Sequence, residues 1–172
     1  SSSEFIEEDS GIQTRYVIDK AGILDPKRMM PIVKNEDESR LSIHAEVGII
    51  AAKKAMSQAG VTSDDIDAII VGTSHSARNY PAVAIEIQEE LGIKGYGYDM
   101  LVGCSSTTFA ISNAYSDIAS GLANTILVVN PEISTPFVNF TNRDKHFIFG
   151  DACVATIVQK ESNPDKSFEI VD

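Results

Sequence analysis

Cysteine is the residue type here best suited to covalent chemistry, and the chain's two cysteines sit in unlike surroundings. Cys104 stands just beyond a predicted strand, Tyr96 to Leu101, and directly before a predicted helix, Ser105 to Ser120. Parallel α/β sheets place their sites beyond the carboxyl ends of strands. A thiol in that position lies beside the free N–H groups and positive dipole end of the helix, which favours thiolate over thiol. Gly103 leaves room for a sharp turn, much as in the nucleophile elbow of hydrolases. A thiolate so held attacks acyl thioesters, and the same N–H groups can hold the developing oxyanion. Position alone leaves the alternative of an inert buried thiol open, because free cysteine is among the most buried residue types. Cys153 is the contrast: it lies inside an apolar strand with no elbow, and reads as structural.

The three histidines are weaker candidates. His44 falls near the apolar stripe of a helix and reads as structural or surface. His75 follows a strand and His146 precedes a turn, so both read as loop residues. There is no CxxC pair, no glycine-rich phosphate loop and no CxxCH, so neither a metal nor a cofactor is expected.

The surrounding elements alternate between helix and strand. Leu41, Ala45, Gly48, Ala52, Ala55, Met56 and Ala59 recur at three- and four-residue steps, which predicts a helix from Glu38 to Ala59 with Gly60 as its left-handed cap. Thr62 to Asp65 reads as a capped turn. The unbroken apolar run within Asp67 to Thr73 predicts a strand buried on both faces, as in parallel sheets. Pro81 is expected to open a helix reaching Leu91, stopped by Gly92. Strands are expected at Tyr96 to Leu101, Thr125 to Val129 and Ala152 to Gln159, with a long loop over 130–147. Small hydroxyl residues crowd the helix after Cys104 (Ser105, Ser106, Thr107, Thr108, Ser112, Ser116), which predicts a central helix packed against other backbones. Residues 1–36 look irregular, with a possible short strand from Gln13 to Ile18. Helix and strand in alternation imply an α/β fold with a mainly parallel sheet.

With 43% hydrophobic residues and a net charge of −11, the chain has the composition of an ordinary globular domain. That charge argues against nucleic acid as a partner. No apolar run approaches the roughly 18 residues of a membrane span. With no CxxC pair, a reducing cytoplasm is the expected compartment. The Ser1-Ser2-Ser3-Glu4 start reads as an internal cut, and polar Glu161 to Asp172 as a linker toward something further.

The segment Tyr98-Asp99-Met100-Leu101-Val102-Gly103-Cys104, followed by a small-residue helix ending Ala119-Ser120-Gly121, resembles the active-site segment of beta-ketoacyl-acyl carrier protein synthase III enzymes. Phe147-Ile148-Phe149-Gly150-Asp151-Ala152 resembles that family's phenylalanine-glycine-aspartate turn. Gly11-Ile12-Gln13-Thr14-Arg15, Ile66 to Thr73, Tyr80-Pro81 and Leu91 to Gly95 fall in the family's order as well. Each motif is weak alone; the ordered set is specific and spans nearly the whole chain.

The resemblance implies a thiolase-like fold of two βαβαβαββ halves. Residues 1–160 would form the first, nucleophile-bearing half with its opening strand missing, and residues 161–172 would begin the linker to the second. It implies that Cys104 accepts an acyl group from acyl-CoA or another acyl thioester. Decarboxylative condensation with malonyl-acyl carrier protein would follow, in fatty acid or related biosynthesis. A His and an Asn that promote decarboxylation would lie beyond Asp172, and the enzyme would be a homodimer. Phe5 falls where the family stacks a tryptophan on the CoA adenine, and Arg143 lies close to a CoA-contacting arginine. Tyr80 matches a residue that reaches into the partner's acyl pocket, implying short or medium acyl groups; it reads equally as a plain tyrosine before a helix-opening proline. Asp9 stands where the family has an arginine and would repel phosphate, and Ser105-Ser106 replace the common alanine-glycine. Two other functions remain open: a thiolase-fold acyltransferase forming esters or amides, and a non-catalytic dimerisation half.

Overall fold

The computed structural model describes residues 2–33, 41–142, 146–161 and 167–171. The chain divides into two compact units, Ser1–Glu38 with Glu132–Ala152 and Ser39–Pro131 with Cys153–Asp172.

The second unit is built on a four-stranded sheet of β1 (Ala68–Thr73), β2 (Tyr96–Leu101), β3 (Thr125–Ile133) and β4 (Asp151–Gln159), in the order β2-β1-β3-β4. β1 runs parallel to both neighbours, pairing Ala68 with Tyr96 on one side and Ala68 with Ile126 on the other. All six residues of β1 are buried, as its unbroken apolar run requires of a strand covered on both faces. Alternate side chains divide between two cores. Ile69, Val71, Leu127 and Val129 join Ala45, Ile49, Ala52, Val83, Ala84 and Ile87 of two helices on one face. Ala68, Ile70, Ile126 and Val128 meet Ala110 and Ala114 of a third helix on the other. The result is the expected α/β arrangement, helices on both faces of a mainly parallel sheet.

Those helices are α3 (Ile43–Ala59), α4 (Val83–Leu91) and α5 (Ser106–Ala119), numbered after α1 and α2 of the first unit. The Ser42 hydroxyl caps α3 by accepting from the Ala45 N–H, and Gly60 ends it at φ 72°. The helix therefore starts five residues later than its apolar periodicity suggests, although residues 38–40 lie outside the described set. Pro81 does not open α4. Ala82 is its N-terminal flank, and its first N–H groups are held from outside: Asp99 on β2 accepts from Val83 at 2.7 Å and Ala84 at 2.8 Å. Burial raises the Asp99 carboxyl above the usual range against the pull of those two bonds. Glu86, also buried, accepts from the Ser42 N–H and hydroxyl and pairs with Arg78 at 3.1 Å, tying the starts of α3 and α4 together. Thr62–Asp65 forms the expected capped turn, with the Asp65 carboxylate accepting from the Thr62 N–H and hydroxyl.

The first unit contains two helices where the sequence looked irregular: α1 (Ser3–Ser10) and α2 (Lys20–Leu24). The apolar residues of α1, Phe5 and Ile6, are adjacent and make no stripe, so periodicity could not reveal it. Its caps could have: Ser2 accepts from the Phe5 N–H, and Gly11 closes the helix at φ 73°. No strand forms at Gln13 to Ile18; that stretch is held by single bonds, the Asp151 N–H to the Tyr16 carbonyl and the Ile18 N–H to the Asp151 carboxylate. Asp151 also accepts from the Thr135 N–H and hydroxyl, and the Arg15 guanidinium donates to the His146 carbonyl at 3.0 Å. The Phe-Gly-Asp turn is thus the knot of this unit. The expected loop over 130–147 is shorter than predicted, since β3 continues to Ile133 and a single turn forms at Thr135–Phe137.

Candidate active site

Cys104 lies in a single 3-10 turn, Gly103–Ser105, between the end of β2 and the start of α5. Its thiol is free and exposed. Gly103 holds φ 61°, a left-handed conformation that a side chain would resist, so the chain reverses sharply there and presents the next residue outward. The helix that follows has 14 residues, long enough for its N-terminus to carry a real partial positive charge beside the sulfur.

The turn is anchored by Ser106, whose side chain is buried. Its hydroxyl accepts from the Val102 N–H at 3.0 Å. Its single proton faces two carbonyl oxygens, those of Gly103 at 2.8 Å and Thr73 at 2.9 Å. The last of these ties the turn to the carboxyl end of β1.

Beneath it β1 and β2 stay paired to Thr73 and Leu101, but β1 and β3 do not. The paired register of β1 and β3 ends at Val71 and Val129. Beyond it, side chains bridge the strands: the Asn130 amide donates to the Gly72 carbonyl at 2.9 Å, and the Thr73 hydroxyl to the Pro131 carbonyl at 2.7 Å. Gly72 makes this possible, because a Cβ there would lie 2.7 Å from the Ser106 carbonyl oxygen and 2.8 Å from the Asn130 amide nitrogen. The start of α5 rests directly on β1.

α5 packs on the sheet through Ser106, Ala110 and Ala114, a stripe at four-residue steps whose small size lets the helix sit close. The expected close packing against other backbones is met along this one row; in this chain Thr107, Thr108, Phe109, Ser112, Tyr115 and Ser116 are exposed. The sequence registered the small residues but could not say that only one row of them faces the sheet.

Cys153 sits on β4, half-buried against the core formed with α3 and α4. Burial pushes its thiol up to about 12. Phe5 is on α1 in the first unit, 55% exposed and free to stack on a planar group. Asp9 shares α1 with Glu4, Glu7 and Glu8, so the helix is strongly acidic. Tyr80, in the second unit, is 86% exposed at the end of the loop before α4. Arg143 lies outside the described residues. His44 is buried at the start of α3 and meets the half-buried His75 edge to face, ring centres 5.6 Å apart. The residues that sequence reasoning missed are Ser106, Thr73 and Asn130. Their signal was a small polar residue at the end of β1, inside β3 and at the start of α5, a pattern too common to single them out.

Comparison with solved structures defines the class. The crystal structure of 3-oxoacyl-[acyl-carrier-protein] synthase III from Aquifex aeolicus superposes on 95% of this chain and 46% of its own, with a TM-score of 0.76 and 27% identity. The fold is therefore the thiolase-like α/β fold of that enzyme group.

The sequence comparisons narrow this further. The family model described as 3-oxoacyl-[acyl-carrier-protein (ACP)] synthase III matches residues 98–172, which include Cys104. A beta-ketodecanoyl-[acyl-carrier-protein] synthase of Pseudomonas aeruginosa is 52% identical over 93% of this chain and 46% of its own length. A beta-ketoacyl-[acyl-carrier-protein] synthase III of Granulibacter bethesdensis is 31% identical over 96% of this chain and 45% of its own. The chain belongs to the beta-ketoacyl-acyl carrier protein synthase III family, and it spans about half the length of the curated relatives it matches.

Among the described residues, no helix is long and apolar enough to cross a membrane.

Proposed function

We propose that this chain is the nucleophile-bearing half of a synthase III-type condensing enzyme, and that Cys104 is its acyl-accepting thiol. The observation that carries the reading is the free, exposed thiol in the left-handed turn between β2 and the start of α5. In the first step the sulfur of Cys104 bonds to the carbonyl carbon of an acyl thioester, the thioester C–S bond breaks, and the departing thiol takes a proton. In the second, malonyl-acyl carrier protein loses carbon dioxide. The resulting carbanion attacks the acyl carbon, and the Cys104 C–S bond breaks to return the thiolate. By the family resemblance, a His and an Asn of the second half, which this chain does not span, promote this second step.

Phe5 is suited to stack on an adenine, with Arg143 as a partner for phosphate, whereas the acidic character of α1 works against CoA. Tyr80 narrows the acyl site to short or medium chains. The Pseudomonas relative's name describes a ten-carbon product. Since condensation adds two carbons, an eight-carbon primer is the one to test first. The working assembly is a homodimer in the cytoplasm, a reducing compartment that suits two free cysteines. Neither nucleic acid nor membrane is a partner.

The test is intact-mass analysis of the full-length protein after incubation with octanoyl-CoA or octanoyl-carrier thioester. The expected result is one added acyl group, absent in Cys104→Ala, with the preferred donor identifying the primer carrier. An unmodified wild-type protein would sink the reading and leave the chain a dimerisation scaffold. Product analysis with malonyl-carrier, amine and alcohol acceptors separates condensation from ester or amide formation.

A further inference from the structure

The turn bearing Cys104 has a strut that the reaction chemistry alone does not require, and we infer that Ser106 is a positioning residue, its hydroxyl fixing Cys104 for attack by locking the Val102–Ser105 turn to the carboxyl end of β1. The inference rests on Cys104 being the acyl acceptor. Ser106 sits two residues past the thiol, on the first turn of α5, and its side chain is buried where the flanking Ser105 and Thr107 are exposed.

Its oxygen engages three backbone groups within 3.0 Å: the Val102 N–H and the carbonyls of Gly103 and Thr73. The first two belong to the two residues that lead into Cys104. The third belongs to the sheet, and it joins the turn to the end of β1. A bond from a helical serine back to the carbonyl three residues earlier is ordinary. A serine that also accepts from the residue before the turn, and faces a neighbouring strand, is a cross-brace.

The brace adds to a small set of backbone ties: the β1–β2 pairing ends at Leu101, and within the turn the Ser106 N–H donates to the Gly103 carbonyl. Gly103, at φ 61°, is the most pliable backbone unit available. Within the turn itself, the Ser105 N–H to Val102 carbonyl distance is a long 3.4 Å. The β1–β3 ladder has already ended at Val71 and Val129. The strands there are bridged by the side chains of Asn130 and Thr73, and the Thr73 hydroxyl reaches the Pro131 carbonyl while its own carbonyl faces Ser106. Removing the Ser106 hydroxyl leaves the elbow held by the β1–β2 pairing that ends at Leu101, by the Ser106 N–H bond to the Gly103 carbonyl and by van der Waals contact at Gly72, with no side-chain bond from the turn to Thr73. A misplacement of the nucleophile of about 1 Å costs as much as a hundredfold in rate, so a partial loss of about tenfold fits a turn that loosens without collapsing.

The experiment compares Ser106→Ala and Ser106→Gly with Ser116→Ala in the full-length protein. Ser116 bonds back to Ser112 on the exposed part of the same helix, so its loss controls for removing a helical hydroxyl. Single-turnover acylation by octanoyl thioester is followed by intact mass across thioester concentrations, alongside circular dichroism and thermal melting. Both Ser106 variants are expected to keep the fold and to lower the maximal acylation rate constant about tenfold, with the half-saturating thioester concentration changed less than twofold. Ser116→Ala should match wild type. Wild-type rate constants in both Ser106 variants would overturn the inference, as would loss of fold in both, which would make the hydroxyl a support of the helix and not of the thiol. Absence of acylation in the wild-type protein would instead overturn the function proposed for Cys104.

Discussion

Differential alkylation of the two thiols tests the contrast between Cys104 and Cys153 without any knowledge of the substrate. Burial against the core pushes the Cys153 thiol up to about 12, so at pH 8 only about one molecule in 10,000 carries a thiolate there. An ordinary cysteine, with a pKa of about 8.5, is about one quarter thiolate at the same pH. The populations differ by about 2,000-fold. A more basic thiolate is the better nucleophile, and with a Brønsted slope of about 0.4–0.5 this returns about 25- to 60-fold. The net expectation is that Cys153 reacts with iodoacetamide about 50-fold more slowly than a free cysteine peptide, before any steric protection. Steric protection is incomplete, because Cys153 borders a groove with Ile50, Lys54 and Ala155 that admits a small reagent. The ionisation effect should therefore dominate, and the Cys153 rate should climb about tenfold per pH unit between pH 7 and 10. Quench-flow labelling followed by peptide mass spectrometry reads both sites in one sample. Cys104, exposed on its turn, should label first. If Cys153 labels within threefold of the peptide standard at pH 8, or its rate is flat with pH, the reasoning from burial is wrong.

Two further substitutions probe the scaffold under the site. Gly72→Ala places a methyl 2.7 Å from the Ser106 carbonyl oxygen. Because the obstructing atom is backbone, the start of α5 must move, and a loss of about 1–3 kcal/mol is expected by urea unfolding, with slower acylation of Cys104. Unchanged stability and rate would show that α5 is free to shift. Asp99→Ala strips the cap from α4 and should cost about 0.5–2 kcal/mol. Burial raises the Asp99 carboxyl, so the folded state binds the proton more readily than the unfolded chain. Stability contributed by this group is then greatest at low pH and falls as pH rises from about 3.9 through the raised folded value. Paired urea titrations of wild type and Asp99→Asn should show that slope in the wild type only, and equal slopes would refute the assignment.

The sheet was legible in the sequence because its strands announce themselves by continuity. Ala68 to Val71 and Ile126 to Val129 are unbroken apolar runs, and a strand buried on both faces has no other way to be written. The turn at Cys104 was legible because glycine, a nucleophile type and a helix start coincided. Other features were written elsewhere in the chain. The start of α4 is capped by Asp99, 15 and 16 residues away from the N–H groups it serves, so Pro81 drew attention to the wrong position. α1 is held by its caps and not by an apolar stripe, and β3 runs past Val129 although Asn130 and Pro131 look like a turn. A proline in a strand is tolerated where its missing N–H is not needed. Here the ladder to β1 has just ended, and the Asn130 side chain donates to the Gly72 carbonyl in its place.

That substitution of side chain for backbone explains why the site stands at this end of the sheet. A ladder of N–H to carbonyl bonds holds strands at fixed spacing and leaves no room between them. Where β1 and β3 stop pairing, their carbonyls need donors, and the donors supplied are short side chains: Asn130 for Gly72, Ser106 for Thr73, Thr73 for Pro131. Each is a single rotatable group, so the junction can hold a helix start against the opened strands in a way a continuous ladder could not. The same junction absorbs the absent Cβ of Gly72 and the left-handed Gly103. An apolar replacement at any of these three side chains would leave a buried carbonyl without its donor, at a cost that falls first on the turn carrying the thiol. The reactivity proposed for Cys104 therefore depends on order at the end of β1.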